Sequence, residues 1–140
     1  MSDSTNDFDL KLHSGRSMIL AAFMGGPLAL GIMMGENERT LGDEAKGKKF
    51  QLIGFLTGIA CVLAFQFIPA VSAAFHELPQ VAFPAFFAVL GMALVYRFQR
   101  EEIKACQQKG AFKSRWFAAL YAFLSWIFYL FLYFSINYLM

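Results

Sequence analysis

The chain has 140 residues, of which 58% are hydrophobic and 16% charged, with a formal net charge of +2, a mixture too apolar for an ordinary soluble domain. Its basic residues are interleaved with acids in short segments beside apolar runs, which argues against nucleic acid as a partner and for anchoring at an anionic membrane leaflet. Residues 17–35, 51–75, 78–96 and 116–140 contain no Asp, Glu, Lys or Arg, and each run is near the roughly 20 residues that cross a bilayer as helix.

The expectation is therefore an all-α, integral membrane four-helix bundle forming a single domain over 1–140. It comprises a tail at 1–16, helices at about 17–35, 51–75, 78–96 and 116–138, and loops at 36–50 and 97–115. The tail carries Asp3, Asp7 and Asp9 against Lys11 and Arg16, unlike the basic leader of a cleaved secretory signal. The first span is expected to stay in the protein.

Within that span Pro27 has no N–H to give the carbonyl of Phe23, and Gly25 and Gly26 precede it, so a kink is expected at Pro27. The freed carbonyl must find a partner inside protein. Gly31 and Gly35 close the first span as a small-xxx-small pair, and Gly54 and Gly58 form another early in the second, so these four are the expected helix-packing positions. A broken helix lining a substrate site is the functional rival to packing. Asp43 is the expected N-cap of the second helix, with Gly42 as the turn before it.

The second span holds Cys61 and Gln66, the latter three residues before Pro69. Cys61 and the loop cysteine Cys106 do not make the paired outer-face cysteines of a disulfide–quinone oxidoreductase. After this span come His76 and Glu77, and before the first span comes His13. If the spans alternate, the two histidines share a depth, where they are the nominees for a metal or haem, with Glu77, Asp9 or Asp7 as further metal ligands. They lack any ligand spacing and read first as interfacial polar residues, so no cofactor is expected. The third span is expected to continue past Tyr96 as a cytoplasmic helix, with Arg97 four residues before Glu101, ending near Gly110.

The fourth span places Tyr121, Ser125, Tyr129, Tyr133 and Asn137 at four-residue spacing, a polar stripe on one helix face. It faces either a neighbouring helix, through hydrogen bonds, or a cavity for a quinone, lipid head group or hydrophobic drug. With alternating spans, two Lys and Arg fall on one side (Lys11, Arg16) and ten in the loops on the other. Both termini are then expected outside.

The run GGPLALG, followed by ENERTLGDEAKGKK and a second apolar helix, resembles a pattern in small, mostly uncharacterised bacterial membrane proteins. The matching positions are Gly26, Pro27, Leu28, Ala29, Asn37, Leu41, Gly42 and Ala45, within residues 25–60. The resemblance implies a multi-pass protein of the bacterial inner membrane and no activity.

No charged group lies inside any expected span, whereas proton-coupled transporters and pumps generally need one. The small multidrug resistance transporters, comparable in size, work through such an acid. The expected function is non-enzymatic: an accessory or assembly subunit of a membrane complex, or a homo-oligomer, whose partners are lipids and other subunits or itself. The alternative is an oligomeric channel or carrier for neutral or hydrophobic molecules, lined by the Pro27 kink and the stripe. A lipid or quinone enzyme would have only His13, His76 and Glu77 to work with.

Overall fold

The computed structural model describes residues 11–109 and 112–140. Six helices follow in order: α1 Gly15–Thr40, α2 Glu44–Phe67, α3 Pro69–Glu77, α4 Ala82–Phe98, α5 Arg100–Lys109 and α6 Trp116–Leu139. By length and apolarity α1, α2 and α6 each suffice to cross a membrane, and α4 does so with α5 as a pair bent by 79°.

Length does not make α1 a crossing. Its backbone leaves the helical region at Gly26, with φ 65° and ψ −156°, a combination open essentially to glycine alone. Pro27 then restarts the helix, since its ring presets φ and its missing N–H falls where a helix start leaves one unused. Gly-Gly-Pro is therefore a stop, a reversal and a restart. The proof lies at the ends: the His13 amide donates to Asn37 Oδ1 at 2.7 Å, whereas 24 residues of straight helix would separate them by about 36 Å. α1 is a hairpin of two half-length arms, 15–25 and 27–40.

The arms form the centre of the molecule. Met18, Ala21 and Ala22 of the first pack with Ala29, Leu30, Met33 and Met34 of the second, with Val95 of α4 and Ala118 of α6 completing the core. Around the hairpin stand α2, α4 and α6. α2 and α6 run outward from the hairpin base and α4 runs back to it: Gly91 faces Ala22 and Leu30, Val95 faces Gly15, and Gln99 reaches Met34.

Close approach on the α2 side needs glycine. A Cβ on Gly31 would lie 2.8 Å from both Gly54 Cα and Phe50 O, backbone atoms that cannot swing aside. Gly31→Ala should therefore push α2 off the hairpin and cost about 2 kcal/mol, measured as a lowered midpoint in detergent unfolding. An unchanged midpoint would disprove this contact.

Several expectations are corrected. The apolar run 17–35 enters and returns instead of spanning, so Leu12 and His13 lie at the same end as the loops. Leu12 O accepts from Lys113 N at 2.9 Å, and Leu12 bridges Phe112. The expected separation of tail and loops is not seen for residues 11–14, which lie beside the loop at 112–113, while α6 carries the C-terminus to the end opposite the base. The run 51–75 breaks at Ile68, where Pro69 starts α3, and the third span begins at Ala82 instead of 78. The continuation of that span is a separate helix turned by 79°. Tail residues 1–10 and Gly110 lie outside the described residues.

Candidate functional site: the polar clasp of the hairpin

The hairpin base is closed by side chains from both arms, α4 and α6. Ser14 N-caps the first arm, accepting from Ser17 N at 3.2 Å, and this sets His13 directly before the helix. Asn37, fully buried, accepts from His13 N and donates through Nδ2 to His13 O at 3.1 Å and to Gln99 Oε1 at 3.2 Å. It thus pairs with the extended backbone of His13 as a strand neighbour would. Gln99 sits at the break between α4 and α5. Its Nε2 donates to Met34 O at 2.9 Å and Glu38 Oε1 at 2.8 Å, and Glu38 in turn pairs with Lys46 at 3.0 Å.

A second branch starts at the His13 ring. Nε2 lies 2.7 Å from Glu36 Oε2, and since a carboxylate only accepts, Nε2 carries the proton. Glu36 also receives Lys113 Nζ at 3.3 Å and the Tyr121 hydroxyl. At the base of the hairpin, outside the crossing helices, this carboxyl is held at about 2, chiefly by the His13 hydrogen bond. Burial opposes the shift, while Tyr121 and Lys113 add to it. It is ionised at neutral pH and balanced by Lys113, while Glu38 pairs with Lys46. The imidazole is packed edge-on against Phe117 and Tyr121, and its Nδ1 is buried without a partner among the described residues.

The tip is tied as well. Trp126 Nε1 donates to Met24 O at 2.6 Å, and Tyr129 OH accepts from Leu28 N at 3.3 Å. One α6 side chain thus satisfies a carbonyl that the first arm leaves open, and another satisfies an amide that the second leaves open. Trp126→Phe keeps the aromatic surface but strands the Met24 carbonyl. The expected loss is about 1 kcal/mol in the same detergent unfolding, and a loss near zero would show that this cap does not hold the tip.

No family model, curated protein or solved structure matches the chain. What the arrangement can do is therefore argued from its chemistry alone.

The polar stripe divides in two. Tyr121 and Tyr129 face the hairpin, and Ser125, fully buried, donates to Tyr121 O at 2.7 Å. Tyr133 and Asn137 are exposed beyond the tip, Asn137 donating back to Tyr133 O at 2.8 Å. Gly31 meets Gly54 and Gly35 meets Gly47, while Gly58 packs on the Tyr129 ring. Gly58 is thus an internal contact of α2 with α6. The Pro27 kink is the hairpin tip. His76 and Glu77 end α3, a whole α2 length from the base, or about 36 Å. His13 and His76 are thus not brought together, and among the described residues no His, Cys, Asp or Glu group of three is arranged to hold a metal.

Sequence reasoning did not bring Asn37, Gln99, Glu36 and Glu38 together as a site: Asn37 entered only as a pattern position, and the two acids only as loop charge. A signal was present: Lys11, His13 and Arg16 before the apolar run and Glu36, Glu38 and Arg39 after it suit two ends that meet.

Proposed function

We propose that this protein is a non-enzymatic, multi-pass subunit of the bacterial cytoplasmic membrane that acts as an accessory or assembly component of a larger membrane complex, or by self-association. The hairpin base faces the cytoplasm in this reading. All twelve Lys and Arg of the chain fall in the tail, loops and helix ends around that base, and the opposite end has none, which is the strongest form of the positive-inside bias.

The observation that carries the proposal is the state of the other half. Among the described residues nothing is buried in α2 after Gly58, in α3, in α4 before Gly91, or in α6 after Ser125. The hairpin fills the centre only on the basic side, and beyond its tip three crossing helices surround no core of their own. Apolar side chains gain little from one another in lipid, so the exposed faces of these helices are free to pack on another chain. The clasp supports the same reading, since its carboxylates and amides are engaged with one another and with the backbone. Tyr121 and Tyr129 hold the hairpin, which removes them from the lining that a channel or carrier would need.

The test is site-specific photo-crosslinking in native membranes from Leu63 of α2 and Phe134 of α6, exposed residues of the open half, with Lys48 near the base as control. A discrete protein adduct from the first two positions and none from the third is expected. Lipid adducts alone, from a protein that stays monomeric in mild detergent, would sink the subunit reading.

A further inference from the structure

A cavity of about 100 Å³ opens between α2 and α4 on the basic half of the molecule. Leu30 and Met34 of the hairpin floor it, Ile53 and Thr57 line one wall, and Leu90 and Leu94 line the other. At the base the walls meet through the rings of Phe50 and Phe98, 5.5 Å apart. The walls are apolar, yet each row of lining side chains ends on a cation. On α2, Lys49 precedes Ile53 and Thr57 at four-residue steps, and on α4, Arg97 follows Leu94 by three, so each cation continues its row at the membrane surface.

Lys46 is engaged with Glu38, Lys48 with Glu44 and Lys113 with Glu36. Lys49 and Arg97 are exposed and, among the described residues, have no acidic partner. From Lys49 to Thr57 the wall is about 12 Å long, close to the roughly 15 Å depth of one leaflet. We propose that this cleft is a binding site for one anionic phospholipid, its acyl chain lying on Leu30 and Met34 and its headgroup phosphate between Lys49 and Arg97. A second apolar helix suits the site less well, because nothing on it would answer the two cations.

The site meets the open half assigned to subunit contacts at Leu90 but includes neither Leu63 nor Phe134, so either reading can fail alone. The test is native mass spectrometry of delipidated, full-length protein offered equimolar phosphatidylglycerol and phosphatidylcholine. Wild type should retain one phosphatidylglycerol in preference. Lys49→Gln with Arg97→Gln should reduce that preference about 30-fold, at roughly fivefold for each basic group near an anionic surface. Thr57→Phe, which fills the cleft, should abolish retention of both lipids. Because Lys49 and Arg97 are surface residues, the double variant keeps the test decisive even if Thr57→Phe fails to fold. Equal retention of the two lipids by wild type, an unchanged preference in the double variant, or a second polypeptide crosslinked from Ile53 in place of lipid would each overturn the site.

Discussion

Asn37→Ala is expected to be the most damaging polar substitution in the chain. The side chain makes both hydrogen bonds to the His13 backbone and a third to Gln99. Its removal strands an amide, a carbonyl and a side-chain acceptor among residues that are fully buried. Each such group costs about 1 to 3 kcal/mol, so the expected loss is about 4 kcal/mol, a large share of a typical domain's stability. The control is Gln51→Ala, which removes an exposed hydrogen bond with Arg39 and should stay within about 0.5 kcal/mol. Detergent unfolding of the two variants beside wild type decides the matter. A midpoint for Asn37→Ala indistinguishable from the Gln51 control would mean that the clasp does not hold the hairpin closed.

The reason Asn37 escaped a reading of the sequence is instructive. Hydropathy measures how long an apolar run is, and 17–35 is long enough to cross. What reverses it is one backbone conformation at Gly26, which leaves no trace in a hydropathy window. The local chemistry was legible: Asp43 does N-cap α2, accepting from Lys46 N at 2.9 Å, and Gly42 does take the left-handed turn before it, at φ 94°. The need for a partner at the Gly-Gly-Pro break was also legible, but the partner was not. Trp126 lies 102 residues from Met24, and only the folded chain brings them together. The polar stripe shows the same limit: four-residue spacing places five side chains on one face, but the depth of the hairpin decides that Tyr121 and Tyr129 reach it and Tyr133 does not. Within this chain the residues from Gly26 to Gly42 divide the work. Gly26 reverses the chain, Pro27 restarts it, Asn37 locks the two ends and Gly42 turns the chain into α2.

The second large effect is expected at Gly26 itself. A Cβ there would have room, its nearest neighbour being Tyr129 Oη at 3.4 Å, so the penalty of Gly26→Ala comes from the backbone. At φ 65° and ψ −156° an L side chain meets its own chain, at about 1 to 3 kcal/mol, and a β-branched residue should fare worse than alanine. Gly26→Ala should lose about 2 kcal/mol and Gly26→Val more. Adding Tyr129→Phe, which removes the nearest atom, should not restore either variant. If that second change does restore stability, crowding and not backbone strain limits the site. A hairpin that cannot turn has one alternative, the straight helix that its hydropathy allows, which would carry Lys11 to the end opposite Lys48. Impermeant thiol labelling of Lys11→Cys and Lys48→Cys should therefore find both on one side of the membrane with Gly26 in place. In Gly26→Val that agreement should weaken, and opposite sides in the parent would refute the hairpin outright.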